Sequence, residues 1–172
     1  MLTEAWTLLV ERGLADLTLS ELARRLDTSA GHLSYYFGSK DALLLDLLRW
    51  SEDELGVERA TIMASDEPVL ERIRQFCEVF LPTGAGDPRW LLWAELWPRV
   101  PRDPVLKQSQ NDFDRAWLQD LVRLLGELGI AEPQPTARRV LALLDGLSIA
   151  LLTGEDGLTR DDAWEHVQHL LR

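Results

Sequence analysis

TLSELARRLDTSAGHLSYYFGSK, residues 18–40, holds two short helical periods around a turn. Leu19, Leu22, Ala23 and Leu26 recur at i, i+3, i+4 and i+7, the spacing of one helix face. Asp27-Thr28-Ser29 then interrupts the pattern with turn-forming residues. In the second period Ala30, Leu33 and Phe37 are spaced to face inward, which turns Gly31, His32, Ser34 and Tyr35 outward. Two short helices about a tight turn are the layout of a helix-turn-helix. Small and hydrogen-bonding side chains on the outer face suit a helix that enters a major groove, where they reach base edges and phosphates. Periodicity alone equally allows an ordinary surface helix with two solvent-facing tyrosines. Thr18 with Glu21 reads as a capping box, and Ser39 caps the next helix with Asp41 in its first turn.

Outward from this stretch the chain is punctuated by Gly13, Gly38-Ser39, Pro82 to Pro88, Pro98 to Pro104, Pro133-Gln134-Pro135 and Gly154 to Gly157. The spacing predicts nine helices, over about 2–12, 19–26, 30–36, 40–63, 68–81, 88–98, 103–129, 136–153 and 159–171. No run alternates with period two, so the fold class is all-α. Three short helices lead and longer ones follow. That asymmetry predicts a head of residues 1–45 on a larger helical body of residues 46–172.

Composition limits the function classes. With 172 residues and a net charge of −11, the chain is no histone-like protein that coats nucleic acid by bulk positive charge. Cys77 is the single cysteine, so neither an internal disulfide nor a cysteine-held zinc is expected. No apolar run approaches the roughly 20 residues of a membrane span. Glu4 and Glu11 stand where a secretory leader has its basic region. A cytoplasmic protein is expected.

Glu11-Arg12-Gly13, Leu17-Thr18-Leu19 before Glu21-Leu22-Ala23, Ser29 through Phe37, and Ser39-Lys40-Asp41-Ala42-Leu43-Leu44 together resemble the TetR/AcrR family of one-component transcriptional regulators. Trp93-Ala94-Glu95-Leu96-Trp97 and Leu144-Asp145-Gly146-Leu147 are similar to the BetI-like subset of its C-terminal domains. The resemblance implies a ligand-responsive, dimeric repressor on a palindromic double-stranded DNA operator. It places Thr18, Ser29 and Lys40 on phosphates, His32 and Tyr35 in the groove, and Gly31 and Tyr36 near the backbone. The sequence departs from the family pattern in three ways. Asp27 replaces the usual Gly at a position that takes a left-handed backbone, which Asp tolerates better than most residues. Ser34 replaces a Tyr and shortens one phosphate contact. The chain also starts at its first helix without a basic arm, which implies either DNA affinity below the family's usual or a misassigned start. Within residues 18–40, Arg24, Arg25 and Lys40 stand against Glu21 and Asp27, a weak basic footprint.

In the body Trp90, Trp93 and Trp97 share one helical stripe, with Phe76, Phe80, Phe113 and Trp117 on neighbouring helices. Aromatic stripes commonly fill a core. The functional reading is an aromatic-lined cavity for a small-molecule effector of unknown identity. Glu95, Glu78 or Asp145 facing it favour a cation. Val140, Leu144, Leu147, Leu151, Trp164, Val167 and Leu171 form an apolar terminal helix pair, which the resemblance assigns to a two-fold homodimer interface. His166 and His169 lack a third ligand of clear spacing, so no metal is expected. No phosphate-binding glycine loop or nucleophile elbow is present, and no catalysis and no cofactor are expected. The alternative of another class is a helical small-molecule-binding or interaction protein with weak or no DNA binding.

Overall fold

The computed structural model describes residues 1–155 and 157–171; Asp156, inside the Gly154–Gly157 break, and Arg172 lie outside them. Among the described residues there are nine α-helices, one 3-10 segment and no strand. The helices are α1 (Leu2–Asp16), α2 (Leu19–Arg25), α3 (Ala30–Phe37), α4 (Lys40–Ala64), α5 (Val69–Phe80), α6 (Pro88–Leu96), α7 (Pro104–Glu127), α8 (Pro133–Thr153) and α9 (Arg160–Leu170), with the 3-10 segment at Trp97–Arg102. No helix among them is long and apolar enough to cross a membrane.

The boundaries that depart from the sequence expectation have local causes. α1 continues past Gly13, where φ is 81° and the backbone leaves helical geometry before turning again. α8 starts at Pro133 instead of after the proline pair. Pro133 takes the first helical position, where no backbone N–H is needed. The capping box predicted at Thr18 forms by half. The Glu21 amide donates to the Thr18 hydroxyl at 3.1 Å, but the Glu21 carboxylate is taken by Arg12 and Arg24 instead of the cap amide. A complete box forms at the start of α9, between Thr159 and Asp162.

The helices divide into two compact units. One comprises Met1–Asp53 and Pro88–Lys107, so α1 to α3, the first half of α4, α6 and the 3-10 segment belong to it. Within it α1 packs on α2 and α6, and α2 on α3. Leu8, Leu22, Leu33, Leu43, Leu47 and Leu92 are among its fully buried leucines, each worth about 1.5–3 kcal/mol of burial. Lys40 ties the end of α1 to the start of α4 by donating from Nζ to the Leu14 carbonyl at 3.1 Å.

The other unit comprises Glu54–Asp87 and the described residues from Gln108 on. Ile73, Phe76, Leu121, Leu124, Leu144 and Val167 lie in its apolar core. α9 packs on α5 and α8. The buried Arg72 of α5 donates to the Ile62 and Met63 carbonyls at 3.0 Å each and to Glu127 at 2.6 Å. It thereby closes the C-terminal turn of α4 and binds the end of α7.

Candidate nucleic-acid interface and effector site

The turn between α2 and α3 is closed by the backbone. Thr28 N–H reaches back to the Ala23 carbonyl at 3.0 Å, with Asp27 at φ 50° between them. This is the closure of a left-handed helix C-cap, and Asp27 adopts the positive φ expected for it. Ser29 then caps α3, its hydroxyl accepting from the His32 amide at 3.0 Å.

Leu33 and Phe37 anchor α3 in the core, whereas Ala30 is exposed and not inward as the spacing suggested. Ala30 is the first residue of the helix, ahead of the turn that packs. Gly31, His32, Ser34, Tyr35 and Tyr36 all lie on the exposed side, Tyr35 at 91% and Tyr36 at 62%. Tyr36 keeps an edge-to-face contact with Phe37, at 4.8 Å between centroids. A Cβ on Gly31 would meet only the Ser29 hydroxyl, at 3.8 Å, so internal packing does not require a glycine there. Thr18 and Ser29 are exposed, and Lys40 is half-buried on the Leu14 carbonyl, which uses one of its three donors.

The arginines of this head face carboxylates of the same chain. Arg12 and Arg24 both bind Glu21, and Arg25 binds Glu4 and Glu11. The Arg24 hydrogen bond, against the opposing effect of burial, holds the Glu21 carboxyl below the usual carboxylate range.

The aromatic residues fall into two sets. Trp90, Trp93 and Trp97 belong to the first unit, with Trp97 at 5.8 Å from Trp90 and 6.0 Å from Trp93. Phe76, Phe80, Phe113 and Trp117 belong to the second, where Phe76 and Phe80 stand edge-on to Trp117 at 5.1 and 5.0 Å. The chain's own cations use two of these rings. Arg89 lies 5.6 Å from the Trp90 centroid and Arg59 lies 4.1 Å from that of Trp117. Glu95 and Glu78 are engaged by Arg99 and Arg74. The carboxylate beside the tryptophans is Glu52, buried on α4 and accepting from Trp93 Nε1 at 3.0 Å. Sequence reading missed it, although a carboxylate in register with the apolar Leu44, Leu48 and Leu55 was its signal.

Val140, Leu144 and Val167 have no exposed surface, because they fill the core of the chain's own second unit, and Leu151 is nearly as buried. They are therefore not available to a second chain. Leu147, Trp164 and Leu171 are half-buried, while Ala142, Gly146 and Ile149 lie on the outward side of α8 together with Arg138, Arg139 and Asp145. No group of three or more His, Cys, Asp or Glu among the described residues is placed to hold a metal.

Residues 1–47 match the N-terminal domain of the bacterial tetR family of regulatory proteins, and residues 69–172 match the C-terminal domain of BetI-type transcriptional repressors. The chain belongs to the TetR family of transcriptional regulators. It is 31% identical over 141 residues to the transcriptional regulator BetI of Burkholderia cenocepacia strain HI2424, covering 80% of this chain and 72% of that one. It is also 31% identical over 155 residues to BetI 1 of Chromohalobacter salexigens, covering 88% and 76%. A transcriptional regulator from Saccharomonospora viridis, solved in complex with choline, superposes with a TM-score of 0.84 at 27% identity, over 99% of this chain and 92% of that one. A TetR regulator from Haloarcula marismortui shares the fold, with a TM-score of 0.81 at 18% identity. As a TetR-family member the chain is a DNA-binding transcriptional repressor with an N-terminal helix-turn-helix and a helical C-terminal domain.

Proposed function

We propose that residues 1–45 read a palindromic operator as part of a homodimer and that a small organic cation releases the DNA, the described residues from 46 on serving effector binding and dimerisation. The observation that carries the DNA reading is the outer face of α3, where Gly31, His32, Ser34, Tyr35 and Tyr36 are exposed over buried Leu33 and Phe37. Thr18, Ser29 and Lys40 set its register on phosphates, and His32 and Tyr35 read bases. The protein acts in the cytoplasm, with the DNA it regulates, and no reaction is part of the proposal.

The dimer surface is the row Ala142, Gly146 and Ile149 of α8 with Leu170 of α9, small and apolar side chains that the chain's core leaves outside. Two-fold pairing brings two reading helices about 34–36 Å apart, one turn of DNA.

The effector is a quaternary ammonium of the choline type. Supporting this are the choline bound by the Saccharomonospora viridis relative and the buried Glu52 carboxylate on Trp93, next to Trp97. Tryptophan faces and a carboxylate together stabilise a cation that cannot donate hydrogen bonds.

The test is binding to the duplex upstream of the protein's own gene, with choline and its uncharged carbon isostere 3,3-dimethylbutan-1-ol as additives. The expected result is selective binding that is lost in Tyr35→Ala and His32→Ala and released by choline alone. Release by both compounds refutes the cation reading; selective binding that survives both variants refutes the α3 interface.

A further inference from the structure

The reading head carries arginines on its surface, and the chain itself holds them. Arg12 donates to Glu21 Oε1 at 2.7 Å, and Arg24 donates to both Glu21 oxygens, at 3.0 and 2.7 Å. Both guanidiniums are exposed, while Glu21 between them is only partly so. Arg25 is treated likewise by Glu4 and Glu11. α2, which bears Glu21 and Arg24, packs directly on the reading helix α3, so the cluster borders the proposed contact surface. Two guanidiniums forked on one small anion is the arrangement by which arginines hold a phosphate.

We propose that Glu21 stands in for a DNA phosphate, occupying Arg12 and Arg24 so that neither contributes to the sequence-blind affinity of the head. The proposal rests on the reading that DNA meets the α2–α3 face. A phosphate that drew Arg24 away would break a two-oxygen pairing. It would also leave the bare Glu21 carboxylate beside a second anion, and like charges at such range repel. Backbone attraction is thereby left to Lys40 and neutral donors, and base contacts make up a larger share of the binding. Glu21 is a positioning residue in this scheme, since it acts on the arginines and not on the DNA.

The salt dependence of binding separates this role from a purely structural one. Each phosphate neutralised adds about 0.9 to the slope of log affinity against log salt. Affinities for the upstream duplex and a scrambled copy are measured between roughly 50 and 200 mM salt. Arg24→Ala in the parent is expected to leave the slope unchanged. Glu21→Gln, its fold checked by circular dichroism, frees both arginines. The slope then steepens by up to about 1.8 per head, so the affinity difference across that salt range widens about tenfold per head, or about a hundredfold for a dimer with both heads engaged. Binding to the scrambled copy strengthens, and discrimination falls. Adding Arg24→Ala to Glu21→Gln takes back about 0.9 per head. A slope that falls in Arg24→Ala alone overturns the proposal, because Arg24 then already serves a phosphate. So does a folded Glu21→Gln with the parent's slope. If Glu21→Gln does not fold, the Arg24→Ala slope decides by itself. Failure of the underlying interface has a different signature, namely parental binding by Tyr35→Ala.

Discussion

Cys77 and Asp145 show how environment sets the chemistry of one side chain. Cys77 is enclosed by the apolar core of the second unit, and burial, with a smaller effect of Glu78, pushes its thiol up to about 12. The reactive thiolate is then scarce at neutral pH. Labelling by iodoacetamide is expected to follow global unfolding, its rate rising with urea in step with loss of helix; rapid labelling of the native protein contradicts the burial. Asp145 moves the same way, to about 6, first through burial and then through the nearby Asp114. The folded chain keeps this proton up to about pH 6, whereas the unfolded chain gives it up near pH 4. Stability is therefore highest below that window and falls as pH rises through it. Asp145 is nevertheless exposed on α8, so solvent screens much of this effect and the decline is far shallower than the full shift implies. Asp145→Asn is expected to flatten the urea midpoint between about pH 4 and 6, and an unaltered decline shows that other groups cause it.

Among elements, the end of α4 depends on a side chain brought from α5. Arg72 is buried and satisfies the Ile62 and Met63 carbonyls together with Glu127. Arg72→Met leaves two carbonyls without their charged donor and is expected to cost about 2–4 kcal/mol in urea unfolding. Arg115→Ala, which removes an exposed pair with Asp112, is expected to cost no more than about 0.5 kcal/mol. Equal effects at the two positions contradict this ranking. The helices themselves were legible in the sequence, because periodicity and caps act within a few residues. Ser39, read as a cap from sequence, does accept from the Ala42 amide at 3.1 Å. The Glu21 half of the Thr18 box was not legible, because Arg12 competes for that carboxylate from nine residues away on another helix.

For the whole molecule, the terminal helices show what a sequence stripe leaves open. Val140, Leu144 and Val167 are apolar at helical spacing, which fits a subunit interface and a chain's own core equally well. They are core. A charge at Leu144 is accordingly expected to unfold the chain. Ile149→Glu, on a residue 51% exposed, is expected to keep the near-ultraviolet circular dichroism of the parent and to halve the sedimentation mass. A dimeric Ile149→Glu places the interface elsewhere. The same ambiguity affected the aromatic residues. Seven of them formed one candidate set in the sequence, and the fold assigns three to one unit and four to the other.

The sequence by itself determined the all-α class and the paired short helices of residues 18–40, because spacing and caps act within a few residues, while the family and the positive φ at Asp27 were legible through the resemblance that the motif residues carry. Only the tertiary structure decided which partners the charged groups take. It paired Arg24 with Glu21, Arg72 with the end of α4, and Trp93 with Glu52, the last across 41 residues of sequence. Periodicity assigns a side chain to a face of its own helix; what that face meets depends on how distant helices pack.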